Sequence, residues 1–156
     1  MKRLHWAIPG ALAAAAGVAA AVLLWPDEPT PQPIAYANIS RNARICIAST
    51  AAGETPEIWR AIQAETNHEP INAQHLIAPN QQPDAIAPFL NGVLALRCRL
   101  IVATGSDMHD AVTAAAKSHP DQAFASDDKS ITLPNVRHVA SATDAVQLVR
   151  DVTNGR

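Results

Sequence analysis

Residues 100–116 read LIVATGSDMHDAVTAAA and contain strand, turn and helix signals in direct succession. Leu100 to Thr104 is a short apolar and β-branched run, which is typical of a strand buried on both faces. Gly105 can turn the chain, and Ser106 or Asp107 can cap the helix that follows. The inward positions of that helix recur at helical spacing: Met108, Ala111, Val112 and Ala115. A strand that passes directly into a helix is the repeating unit of a parallel sheet covered by helices.

The same alternation continues on both sides of this unit. Four further strand signals are Arg44 to Thr50, Ile71 to Ala78, Gln122 to Ser126 and Val136 to Ala140. Three further helix signals are Pro56 to Asn67, the segment after Pro83, and the segment after Ser141, where Ser141 and Asp144 resemble a capping box. Because crossovers are right-handed, the sequence predicts a three-layer α/β/α fold, a flavodoxin-like open parallel sheet of order 2-1-3-4-5.

The N-terminal residues have a different composition. Residues 7–25 are apolar apart from Pro9, Gly10 and Gly17, and about 19 residues at about 1.5 Å each nearly match the hydrocarbon thickness of a bilayer. We therefore predict one transmembrane helix in a membrane anchor or signal segment at 1–25. A Pro-rich linker at 26–42 and a single α/β domain at 43–156 follow.

The charges around this segment predict its orientation. Lys2 and Arg3 precede the apolar run, and Asp27 and Glu28 follow it, which places the domain outside the cytoplasm. The expected location is the cell membrane, single-pass, with the C-terminal domain extracytoplasmic. The alternative is a secreted protein, because residues 35–37 have the small-x-small form of a processing site.

Charge and motif spacing exclude several classes of function. The formal net charge is -2 and no Lys/Arg cluster follows Arg3, so we expect no nucleic-acid partner. The five histidines of the domain form no pair at metal-ligand spacing, and we expect neither metal nor cofactor: His68, His75, His109, His119 and His138. Ser106 and His109 share a helical turn, but no G-x-S-x-G occurs, so we expect no catalytic residues and no enzyme.

The two cysteines stand near the starts of neighbouring predicted strands. Cys46 lies in the first strand and Cys98 just before the third. Adjacent strands are about 4.8 Å apart, which a disulfide can span, and an oxidising compartment favours the bond. A Cys46–Cys98 disulfide is therefore predicted, with two buried free thiols as the alternative.

The predicted strand order opens a crevice above strands one and three. The loops that follow these strands meet there, beside two helix N-termini that favour an anionic or polar group. The predicted ligand-binding residues are Ser49, Thr50, Gly53, Thr104, Gly105, Ser106, Asp107 and, at the rim, Asp127. A solvated loop is the alternative for Asp127 and Asp128.

Several segments together resemble a known family. Residues 87–91 (APFLN), 97–105 (RCRLIVATG), 110–112 (DAV) and 119–124 (HPDQAF) look like the first lobe of basic-membrane-protein type substrate-binding proteins. Those are periplasmic or lipid-anchored type I solute-binding proteins of transporters, some of which bind nucleosides. The resemblance covers about residues 43 to 140 and places Gly105 and Asp127 near the family's ligand.

The chain also departs from that family. The loop after strand one reads STAAG at 49–53 instead of carrying acidic residues, an aromatic-Asn element before the first helix is missing, and only one lobe is present. Together with the apolar segment at 1–25, the resemblance leads us to expect a membrane-tethered, non-catalytic binding or interaction module. Its partner would be a protein or a weakly bound polar small molecule, and dimerisation into a homodimer would strengthen such a half-site. The alternatives are a small extracytoplasmic hydrolase using Ser49 or Ser106, and a structural envelope domain.

Overall fold

The computed structural model describes residues 41–155. The predicted anchor at 1–25 and nearly all of the predicted linker lie outside the described residues. Within residues 41–155, no helix is both long and apolar enough to cross a membrane. The boundaries of the anchor and of the linker therefore stay predictions.

The described residues form one parallel sheet with helices on both faces. The strands are β1 (Ala43–Ser49), β2 (Ile71–Ile77), β3 (Leu100–Thr104), β4 (Ala123–Ser126) and β5 (Val136–His138). The helices are α1 (Pro56–Glu65), α2 (Pro83–Ala95), α3 (His109–Ser118) and α4 (Ala142–Thr153). The sheet order is β2-β1-β3-β4-β5 and every neighbouring pair is parallel. The predicted fold and strand order are confirmed.

The helix starts follow local sequence rules. Pro56 and Pro83 occupy the first turns of α1 and α2, where the missing N–H of proline costs no hydrogen bond. Ser141 caps α4, because its Oγ accepts a hydrogen bond from the Asp144 N–H at 3.2 Å. The start of α3 is different from the prediction. A 3₁₀ turn at Ser106–Met108 precedes it, and neither of the two proposed side chains caps the helix.

The strand alternation divides the core into two layers. Odd-numbered side chains of β1, such as Ile45 and Ile47, lie in the layer with α1 and α4. Even-numbered ones, Cys46 and Ala48, lie in the layer with α2 and α3. β1 and β3 are buried on both faces, as expected for central strands of a parallel sheet.

One covalent and one ionic link join elements on the two faces of the sheet. Cys46 and Cys98 form a disulfide whose Cα atoms are 5.8 Å apart, which confirms the predicted pair. On the opposite face, Arg150 of α4 donates to both carboxylate oxygens of Glu65 at the end of α1, at 2.6 and 3.0 Å. The Glu65 side chain is only 6% exposed, so the carboxylate of this ion pair is buried, whereas Arg150 is partly exposed.

Candidate functional site

The eight residues predicted to bind a ligand all lie at the carboxyl edge of the sheet. Ser49 ends β1, Thr104 ends β3, and Asp127 directly follows β4. Thr50 and Gly53 belong to the loop after β1. Gly105, Ser106 and Asp107 belong to the turn after β3. The sheet order therefore brings together three loops that are far apart in sequence.

The loops after β1 and β3 touch through their glycines. A methyl group on Gly53 would lie 2.6 Å from the Cα of Gly105 and 2.7 Å from the carbonyl oxygen of Thr104. Gly105 has a φ of +105°, a conformation that glycine adopts without strain. No ligand atom fits between two backbones at this distance, so the space between Gly53 and Gly105 is filled.

Polar side chains strengthen the same contact. Thr50 Oγ1 donates a hydrogen bond of 2.5 Å to Asp107 Oδ2, and Thr104 Oγ1 donates one of 2.8 Å to the Gly53 carbonyl. Thr50 and Thr104 are fully buried or nearly so, hence both hydroxyls need such partners. The threonines serve the loop contact directly, while Ser106 remains exposed beside it.

Asp127 connects the third loop to the other two. Both of its carboxylate oxygens accept from the Gly105 N–H at 3.1 Å. The backbone donor that the sequence pattern offered to an anionic ligand is thus engaged by a carboxylate of the protein itself.

A second polar group, which sequence reasoning missed, lies next to Asp127. His109 Nδ1 and Asp128 Oδ2 are 2.7 Å apart, and the Ser130 hydroxyl donates to Asp128 Oδ1 at 2.5 Å. The hydrogen bonds from the Ser130 hydroxyl and N–H, and then the bond from His109, lower the pKa of Asp128 from 3.8 to about 2. The carboxylate accepts, so Nδ1 of His109 donates in this hydrogen bond. With 38% of its side chain exposed, His109 can offer its other ring nitrogen to a partner.

A third polar group lies on the α1 side of the same edge. Ser49 Oγ and His75 Nε2 are hydrogen-bonded at 3.1 Å, and His75 Nδ1 is 4.0 Å from Glu54 Oε1. The Trp59 ring covers His75, with ring centroids 5.4 Å apart. The serine, histidine and acid stand in the order of a nucleophile, its base and an orienting group. Ser49 is nevertheless fully buried, which withholds its hydroxyl from any substrate.

No local sequence pattern predicts the Ser49–His75 pair or the His109–Asp128 pair. Ser49 and His75 are on different strands, and His109 and Asp128 are separated by α3 and β4. The available signals were Asp127 and Asp128 directly after a strand, and His109 in the first turn of a helix. In the part of the chain described by the structure, no group of three His, Cys, Asp or Glu is arranged to hold a metal ion.

A cavity lies at the other end of the sheet. It has a volume of about 250 Å³ and is bordered by the first residues of β3 and β4 and by the end of α4. Its lining includes Arg137 of β5 and Leu148 and Asp151 of α4. None of the predicted ligand-binding residues contributes to this cavity.

Comparisons with known proteins find similarity in fold. No family model matches the chain, and no curated protein matches it. A fragment described as a lipoprotein, from Peptoclostridium difficile 630, superposes with a TM-score of 0.61 at 15% identity, over 71% of this chain and 98% of that chain. An ABC transporter solute-binding protein from Conexibacter woesei DSM 14684 gives 0.50 at 21% identity, over 62% and 34%. One from Aeropyrum pernix K1 gives 0.52 at 12% identity, over 62% and 28%.

These similarities show the fold. The chain spans about a third of each solute-binding protein, 34% and 28% of their lengths, and nearly all of the lipoprotein fragment. Such coverage is consistent with one lobe of a two-lobed protein.

Proposed function

We propose that this chain is an extracytoplasmic, membrane-tethered binding module without catalytic activity, which recognises a partner protein across the carboxyl edge of its sheet. The buried disulfide supports an oxidising compartment. The similarity of fold to a lipoprotein and to solute-binding proteins supports the same location. The apolar segment at 7–25 supports the tether.

The observation that carries the proposal is the closure of the three loops on one another. Gly53 and Gly105 are in backbone contact, and Asp107 and Asp127 are engaged by neighbouring loops. A solute cannot enter between Gly53 and Gly105, which supports a partner that lies across the outer surface of the loops. A polar surface suits another protein better than a small molecule, which needs a concave site.

The charge of this surface indicates what the partner presents. Asp107, Asp127 and Asp128 are partly exposed. Carboxylates accept hydrogen bonds, so basic or donor-rich side chains fit here. This differs from the anionic group that the helix N-termini alone favour.

A photo-crosslinking amino acid tests the proposal in cells that produce the full chain. Placed at the exposed Ser106, it is expected to form an adduct with one defined protein. Placed at the exposed Asp121, at the opposite edge, it serves as the matched control. Adducts that form at Asp121 and not at Ser106 would show that recognition uses another surface.

A small-molecule ligand would produce a different result. A polar solute such as a nucleoside that raises the melting temperature of the purified full chain by several degrees would favour solute binding over a protein partner. No shift at millimolar concentration is expected, because one lobe supplies half of a site.

Hydrolysis is the second candidate, favoured only by the bond of Ser49 to His75. Ester hydrolysis that disappears in Ser49→Ala and persists in Ser106→Ala would establish it. Because Ser49 is buried, we expect no difference between these variants and the parent chain.

A further inference from the structure

The two edges of the sheet differ in length and charge. β5 is three residues long and carries the exposed Arg137 and His138. β2 is seven residues long, INAQHLI, and has no proline, lysine, arginine or acid. Within residues 41–155, no strand pairs with its outer side. Proteins usually protect such an edge with charges, proline or shortening, and β2 has none of these protections.

The register of β2 determines which backbone groups point outward. The Ala43 N–H donates to the Pro70 carbonyl, and the Ala78 N–H donates to the Ser49 carbonyl. Parallel pairing then turns the even-numbered residues of β2 toward β1. The backbone groups of Ala73, His75 and Ile77 therefore face away from the sheet.

We infer that this edge pairs with the β2 strand of a second copy of the chain, antiparallel about a two-fold axis at His75. This rotation exchanges the positions of Ala73 and Ile77 and leaves His75 on the axis. His75 then faces His75 of the second copy, and Ala73 faces Ile77 of the second copy. In an antiparallel ladder, each of these pairs exchanges two hydrogen bonds.

The side chains fit the same register. Ile77 is a large hydrophobic residue with 47% of its surface exposed, and pairing places it against the small Ala73 of the second copy. Gln74 faces Leu76 of the second copy, and the nearest acid, Glu69, faces Gln81. Because β2 carries no Asp, Glu, Lys or Arg, no pair of such like charges opposes the pairing. The pairing joins two sheets into one and leaves the carboxyl edge free for the partner proposed above.

Cysteine cross-linking tests this register in cells that produce the full chain. In the double variant Ala73→Cys/Ile77→Cys, directly opposed Cα atoms would be about 5.5 Å apart, which a disulfide tolerates. A covalent dimer is expected on non-reducing electrophoresis. Each single variant is expected to give no covalent dimer, because its cysteine would be about 13 Å from the same cysteine of the second copy. Co-production of the two single variants should restore the cross-link.

A charge placed at the edge gives an independent measurement. Ile77→Lys is expected to raise the dimer dissociation constant of the detergent-solubilised full chain about tenfold or more. Gln63→Lys adds the same charge on the exposed side of α1 and should leave the constant unchanged. A monomeric parent chain would overturn the inference, as would a double-cysteine variant that cross-links no more than the β5 control Val136→Cys/His138→Cys. If another segment or protein occupied the edge, the double-cysteine variant would likewise cross-link no more than the β5 control, and the inference would be wrong.

Discussion

Gly53 and Gly105 meet backbone to backbone at the carboxyl edge of the sheet. A hydrogen bond from Thr104 Oγ1 to the Gly53 carbonyl joins the same two loops, although 51 positions separate Gly53 from Thr104. The two glycines are needed for different reasons. Gly53 has no room for a Cβ, whereas Gly105 also has a positive φ. The contact joins the loop after β1 to the turn after β3.

Alanine at either glycine should destabilise the domain. At Gly53 the methyl group would collide with backbone atoms, and at Gly105 it would also force a strained φ. We expect the free energy of unfolding in urea to fall by about 1–3 kcal/mol for each. Gly92→Ala is the control, since its methyl group would meet nothing within 4 Å in α2. It should stabilise by about 0.5–1 kcal/mol, and equal effects at all three positions would contradict the loop contact.

Loss of the disulfide should cost a measurable part of the stability. The bond closes a segment of 52 positions, for which the chain-entropy estimate is about 4 kcal/mol. The variant Cys46→Ala/Cys98→Ala should unfold at a lower urea concentration than the oxidised parent. Reduction of the parent should lower its midpoint in the same direction. A midpoint unchanged by either treatment would mean that the bond does not form in the folded protein.

The carboxylate of Asp128 should make stability depend on acid. Its pKa is lowered from 3.8 to about 2, so the folded state prefers the ionised form. The stabilisation is complete above the unfolded value and is lost as pH falls through about 2. The difference in unfolding free energy between the parent and Asp128→Asn should be constant near neutral pH and shrink between about pH 4 and 2. If the difference in unfolding free energy between the parent and Asp128→Asn grew on acidification, it would contradict a lowered pKa of Asp128 in the folded state.

The ion pair between Glu65 and Arg150 should behave as a coupled unit. The hydrogen bond from Arg150 lowers the pKa of Glu65 and offsets its burial. Arg150→Met leaves that carboxylate buried without its partner, so it should destabilise more than Glu65→Met/Arg150→Met does. Urea midpoints of both single variants and of the double variant measure this coupling. Simple additivity would show that the two side chains act independently.

Much of the fold could be predicted because its determinants are local. Leu100 to Thr104 is a short apolar run with β-branched residues, which is typical of a buried strand, and its bounds agree with β3. Pro56, Pro83 and Ser141 mark three helix starts by their own chemistry. The Cys46–Cys98 bond followed from the strand order, since neighbouring strands bring the residues within reach.

The polar groups of the edge could not be predicted in the same way. The sequence placed Thr50 and Asp107 on adjacent loops, but a hydrogen bond between them depends on where the 3₁₀ turn begins. His75 reaches Ser49 only because β2 lies beside β1 in one particular register. Such contacts are determined by tertiary placement, which no spacing along the chain encodes. Their role in binding stays a prediction.

The packing of α4 on α1 also determines when the domain can be completed during synthesis. Arg150 and Glu65 are 85 residues apart, and Ala145 and Val149 complete the layer that contains Ile58 and Ile62. A nascent chain that lacks α4 leaves this face of the sheet covered by α1 alone. The ribosome must therefore release the chain through α4 before that layer closes, and until then the growing chain exposes an apolar surface that a chaperone can hold.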